Sequence, residues 1–231
     1  MYLFRQIKSI FFVLMLFGLL LACQKEPLKQ PVSVNLSIDM NRLSDPLHSY
    51  HFEVGNIWIQ SIRLLGDRVE GEDIDYFRDF PGGLALDMNG QLNLNDLGFD
   101  LPQGDYDSLN LEIATIGNAA ATLKIEGQFV SPAHTADTLA LLFEVDEPLV
   151  FAWKVQNGNS HQISLNANTD YRLQVHFDPI YWFGNISYQM LDAADSVFIN
   201  NVNTISINKN QNTGIFSIVK KRIKEGNKAF F

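Results

Sequence analysis

From Val32 to Phe177, apolar side chains return at every second position, run after run. Val32, Val34, Leu36 and Ile38 are separated by Ser33, Asn35 and Ser37. Leu109, Leu111 and Ile113 enclose Asn110 and Glu112. Leu139, Leu141, Phe143 and Val145 repeat the pattern, as do Leu149, Phe151, Trp153 and Val155. Tyr171, Leu173, Val175 and Phe177 close the series against Arg172, Gln174 and His176. A period of two puts one face of a strand in a core and the other toward water, whereas a helix needs 3.6. Strands at this spacing, with turns between them, predict a mainly β chain folded as a single antiparallel β-sandwich.

The punctuation between the runs adds detail. The stretch 51–65 is β-rich, with Gly55 expected at a bulge. Residues 66–83 are acidic, end in Phe80-Pro81-Gly82-Gly83 and predict a loop. Leu92 and Leu94 predict a short strand, and Asn157-Gly158 is a hairpin turn signal. Leu101-Pro102-Gln103-Gly104-Asp105-Tyr106 leads into one alternating run, and the segment from Leu165 to Asp170-Tyr171 leads into another. A turn followed by Asp-Tyr at the mouth of a strand predicts a tyrosine corner, its hydroxyl bonded to upstream backbone. Tyr106 and Tyr171 are therefore expected to be structural. Asp178-Pro179-Ile180-Tyr181-Trp182-Phe183-Gly184 is an aromatic cluster at a strand end. It is expected to plug one end of the sandwich around Trp182, because aromatic rings bury large areas; a ligand or partner surface is the alternative.

Beyond residue 207 the period changes. Thr213 is expected to cap an amphipathic helix in the C-terminal stretch 208–231, with Ile215, Val219 and Ile223 on one face. Lys220, Lys221, Arg222 and Lys224 fall in its later turns, where cations suit the helix dipole. The expected organisation is thus a β-sandwich domain over 32–207 followed by this helix.

The N-terminal stretch supplies an address. Residues 1–9 carry Arg5 and Lys8 and no acid, and residues 10–22 are apolar or small without a break. This is the shape of a secretory signal peptide. Its 13 apolar or small residues are short of the roughly 20 that span a bilayer. The segment ends in Leu20-Leu21-Ala22-Cys23, and Cys23 is the chain's one cysteine. The four residues resemble the lipobox of bacterial lipoproteins. That resemblance implies a signal peptide over 1–22, cleavage before Cys23, lipidation of its thiol and a membrane anchor. Residues 23–31 then form the lipidated start and a polar tether, whose last eight residues reach at most about 28 Å. Gln24, where an Asp is absent, resembles the pattern of outer-membrane delivery. The expected location is the outer membrane or cell surface, with a periplasm-facing anchor left open.

Charge and motifs narrow the chemistry. Without residues 1–22 the chain keeps 15 basic residues against 26 acidic ones, net −11. That disfavours nucleic acid, whose binding rests on basic surface. No thiol remains for a disulfide, a metal site or a nucleophile once Cys23 is lipidated. His48 and His51 are three apart in a segment entering a strand, where that spacing points them to opposite faces. Pairing either histidine with Trp58 or Trp182 is the open metal alternative. Asp87-Met88-Asn89-Gly90 with Asn93, and Glu72-Asp73-Ile74-Asp75, are oxygen-rich but lack the pattern of a calcium-binding EF-hand loop. Ser131, His134 and Asp137 lie within seven residues, a spacing unlike catalytic triads assembled from distant positions. No catalytic residue, metal ligand or cofactor is selected.

The order of lipobox, short tether, β-rich domain with a Leu-Pro-x-Gly-x-Tyr turn, then Phe177-Asp178-Pro179 and Trp182-Phe183, resembles uncharacterised lipoproteins of Gram-negative envelopes. Their domain is a prealbumin-like β-sandwich. Over roughly 32–183 the chain also resembles the MbnP-like domain, named for a copper-protein family, which would imply a metal site with no ligand carried over here. The expected function is a lipid-anchored envelope module, non-enzymatic, that binds a protein, glycan or small ligand or acts in adhesion. A copper- or calcium-handling protein is the alternative, and a hydrolase the second.

Overall fold

The computed structural model describes residues 30–44, 49–92, 97–117, 121–133 and 138–231. The stretch expected to be a signal peptide, Cys23, most of the expected tether, His48, Asn93, Leu94, His134 and Asp137 lie outside the described residues.

The chain is mainly β, and alternation becomes burial as the period dictates. In β7 (Leu123–Val130) every odd position is buried. In β11 (Tyr171–Phe177) Leu173, Val175 and Phe177 point inward. The longest strand, β2 (Tyr50–Arg68), organises the larger sheet. One of its edges pairs with β3 (Ile74–Asp87) from Asn56 to Gly66. The other edge is shared: β7 takes residues 50–57, and β6 (Gly104–Thr115) takes residues 59–68. From β6 the sheet continues to β9 (Val150–Lys154) and β10 (Ile163–Leu165). From β7 it continues through β8 (Thr138–Val145) and β13 (Val202–Ile207) to β12 (Ser196–Ile199). In the smaller sheet, β1 (Pro31–Met40) lies between β11 and the pair β4 (Asn89–Leu92) and β5 (Gly98–Pro102), and β14 (Lys228–Phe230) flanks β11.

The all-antiparallel expectation needs correction, because both sheets are mixed. β1 and β11 run parallel from Val34↔Tyr171 to Met40↔Phe177, and β8 and β13 run parallel from Ala140↔Thr204 to Phe143↔Ile207. Parallel neighbours need long crossovers, and both pairs are far apart in sequence. Side-chain alternation reports which face is buried and carries nothing about direction.

The two sheets form a sandwich-like arrangement around one continuous core. The rings of Phe151 and Phe177 meet across it at 5.0 Å, edge to face, and those of Tyr76 and Phe99 stack at 5.1 Å. The chain crosses between sheets at Met88, which is buried and whose N–H donates to the Gly55 carbonyl (2.7 Å). There β3 leaves the larger sheet and β4 enters the smaller one. On the opposite side Gln156 bridges Phe230.

Two local expectations are overturned. Residues 74–83 are strand rather than loop: Ile74, Tyr76, Arg78 and Phe80 are half-buried, while Asp75, Phe77 and Asp79 face outward. Pairing with β2 outweighs the acidic composition, and Pro81 sits where the β2–β3 register shifts, a position that needs no ladder donor. Gly55 is not at the bulge, which lies between Phe52 and Val54. Instead the sulfurs of Met40 and Met88 pack where a side chain at Gly55 would project.

Short helices close one end. In α1 (Pro179–Phe183) Asp178 caps the first turn by accepting from the Tyr181 N–H (3.1 Å), and Trp182 and Phe183 are buried. The Phe183 ring touches those of Phe52, Tyr50 and Phe143 at 4.8, 5.8 and 5.7 Å. After α2 (Tyr188–Asp192), Asn200-Asn201, both left-handed, turn β12 into β13. The later helix, α3, spans Thr213–Arg222 and buries Ile215, Phe216 and Val219. Its N-cap is Asn212, not Thr213; the Asn212 amide donates instead to the carbonyls of Asp195 and Ser206. Lys220 pairs with Glu147 at 2.5 Å, and Arg222 stacks 4.4 Å over Tyr181. The chain then returns as β14, so it ends in the smaller sheet rather than in helix.

Tyr106 is fully buried, and its hydroxyl donates to the Pro102 carbonyl four residues upstream (2.5 Å). The half-buried Tyr171 donates to the Ser164 carbonyl (3.3 Å) and accepts from the Asn166 N–H (3.0 Å). Burial pushes the Tyr106 phenol above its ordinary range, partly opposed by Arg68. The folded state therefore holds this proton more tightly than the unfolded chain, which releases it near pH 10. The stability this contributes is complete below about pH 10 and is lost as pH rises through the folded value. Tyr106→Phe is expected to cost about 1 kcal/mol at pH 7 and to flatten the alkaline fall. Urea midpoints of both proteins from pH 7 to 11 check this.

Candidate functional site

The register of the larger sheet lines up four polar side chains from four strands. Asp87 on β3 pairs with Asn56 on β2, Asn56 with Lys124 on β7, and Lys124 with Glu144 on β8. Directly paired residues share a sheet face, so the four form one row across the strands. At about 4.8 Å per strand the row is about 14 Å long. The Asn56 amide donates to Asp87 Oδ1 (2.5 Å), holding one end of the row.

This row opens into a cleft of about 860 Å³, within the ordinary range for ligand sites. It sits at the β3–β4 crossing, so apolar Ile38, Ile57, Leu86 and Leu97 meet the polar row there, joined by Asn89 and Gln91. Two positions beyond Asn56 on the same face of β2 is Trp58, half-buried and paired with Ala85. Its indole Nε1 is buried with no hydrogen-bond acceptor among the described residues. The ring lies against Gly83, whose φ of +73° favours glycine and where an added Cβ would come well under 3.0 Å from Nε1. Gly83 thus sets both the turn and the seat of the indole.

Charges along the cleft are largely matched or acidic. Lys124 pairs with Glu126 at 2.5 Å. Glu144 has no ion-pair partner among the described residues. Past Glu144 a smaller cleft of about 200 Å³ continues to Asp146, Asn208 and Lys209. Lys209 pairs with Asp146 at 2.5 Å, holding that carboxyl below the usual carboxylate range and raising its own ammonium.

Comparison with protein-family models, curated proteins and solved structures finds no match for this chain.

The residues singled out in the sequence lie mostly elsewhere. His51 Nε2 is 2.8 Å from Glu53, an exposed pair that Gln128 joins at 3.1 Å. His51 is seven strand residues from Trp58, roughly 23 Å, so those two are not brought together. Trp182 is buried in the helical cap with Nε1 donating to Asn227 Oδ1 (2.9 Å) and the Glu225 carbonyl (3.2 Å). His161 Nδ1 lies 3.1 Å from the Val155 carbonyl. The oxygen-rich loops are engaged locally: Asn89 Oδ1 accepts from the Gln91 N–H, Asp73 Oδ1 from the Arg68 N–H, and Asp75 from Arg63. Ser131 Oγ accepts from the Ala133 N–H (3.1 Å), a local turn bond. Among the described residues no three His, Cys, Asp or Glu side chains cluster as a metal site.

Sequence reading missed Asn56, Lys124 and Glu144. Each stands in the polar phase of an alternating run, as do dozens of solvated residues. Only the register of four strands puts them in one line.

Proposed function

We propose that this chain is a lipid-anchored envelope protein, held at the outer membrane or cell surface through Cys23, whose β-sandwich domain is a non-enzymatic binding module. The observation that carries the binding reading is the cleft of about 860 Å³ that joins Trp58 to the row Asp87–Asn56–Lys124–Glu144. Aromatic surface beside convergent polar groups is the usual composition of a ligand site. The anchor reading rests on Leu20-Leu21-Ala22-Cys23 and the apolar run before it. Placement suits both: the chain enters the fold at Pro31, and Ile38 in the cleft is seven strand residues onward, roughly 23 Å away.

A palmitate analogue fed to cells making the full chain should label it, and Cys23→Ser should abolish the label. Labelling of the variant would disprove the anchor. Binding is tested by retention of envelope fractions on the immobilised full chain. Asn56→Ala should retain less than the wild type does, and equal retention by both removes the cleft from the proposal.

A further inference from the structure

We infer that the cleft takes a neutral oligosaccharide, an inference that rests on the binding-module reading. A sugar ring has an apolar C–H face and a rim of hydroxyls that both donate and accept. Trp58 supplies a large amphipathic ring for the first. Asn56, Asp87, Asn89, Gln91 and Glu144 supply amide and carboxylate groups for the second, each with several donor or acceptor positions. The two lysines do not recruit an anion, because Lys124 is matched by Glu126 and Lys209 by Asp146. With Asp87 and Glu144 added, the cleft repels phosphate, sulfate and uronate groups.

Geometry separates this ligand from others. A peptide added as a strand needs an open sheet edge. Here Asn56 and Lys124 lie mid-sheet, each paired on both sides, so only side chains are on offer. The row and its continuation to Asn208 cross five strands, about 19 Å, which is longer than one sugar ring. Hydrolysis does not fit this pair of acids. Asp87 and Glu144 are three strand spacings apart, about 14 Å, whereas glycosidase carboxylates stand about 5–9.5 Å apart.

The test is an array of neutral glycans (gluco-, manno-, galacto- and N-acetylhexosamine chains). It is probed with the full chain in a polyoxyethylene detergent, because maltoside headgroups would compete. Isothermal titration calorimetry follows any hit. Expected are saturable binding, an affinity equal in 50 and 500 mM salt, a loss of about 30-fold or more in Trp58→Ala, and one of about 3- to 10-fold in Asn56→Ala. Asn56 is on the outward face, so its variant should keep the wild-type unfolding midpoint. Binding unchanged in both variants overturns the inference, as does salt-sensitive binding of spermidine or polylysine with no glycan hit. If the array is silent while Asn56→Ala still loses envelope retention, the saccharide falls and the binding module stands. If retention is also unaffected, both fall.

Discussion

Gly127→Ala should destabilise the protein by about 3 kcal/mol or more, the upper end of what overpacking costs. Gly127 faces Phe52 where β2 bulges, and an added Cβ would come well under 3.0 Å from the His51 carbonyl oxygen and 2.9 Å from Phe52 Cα. Both obstacles are backbone, so no rotamer change relieves them and the β2–β7 pairing must open. That pairing also sets Asn56 opposite Lys124, so the variant should weaken any cleft ligand even where it remains folded. Gly214→Ala is the control. Nothing lies within 4 Å of the new methyl, which falls in α3. Alanine there should be neutral or stabilise by up to about 1 kcal/mol. Opposite signs for the same substitution, read from urea midpoints, would show that the cost comes from backbone approach; a neutral Gly127→Ala would refute the described register.

Trp182→Ala should cost about 3–5 kcal/mol. The side chain is fully buried and meets Phe177 edge to face at 6.0 Å. Its N–H also holds the 225–227 segment, where Asn227 in turn accepts from the Asp178 N–H (3.1 Å) and donates to the Ile223 carbonyl (2.8 Å). Loss of the ring thus empties the cap and loosens the link from α3 to β14. Trp182→Phe keeps most of the packing and drops the donor, so it should cost about 1–2 kcal/mol. Equal losses in the two variants would mean that the hydrogen bonds outweigh the packing, contrary to the burial seen.

Much of the scaffold was legible because burial of one strand face is a local, two-residue rhythm. The runs at 32–38, 109–113, 139–145 and 171–177 all became strands with the expected faces inward, although Ser37, in the polar phase, is buried beneath Arg172, whose Nε donates to it (2.9 Å). The two Asp-Tyr turns were legible for the same reason, since each hydroxyl reaches only a few residues upstream. β3 was hidden because its acids and Pro81-Gly82-Gly83 read as turn chemistry, and only the long edge of β2 makes a strand of them. The candidate site was not legible at all beyond Trp58 and the Asp87 loop.

By itself, then, the sequence determined the mainly β character, the inward faces and the corner tyrosines, because these follow from contacts within a few residues. The tertiary structure alone decided that β1 lies parallel to β11, that β3 crosses to the smaller sheet at Met88, and that Asp87, Asn56, Lys124 and Glu144 stand in one row. Direction and register are chosen by which whole-chain pairing buries every apolar face at once, and no local stretch of residues carries that information.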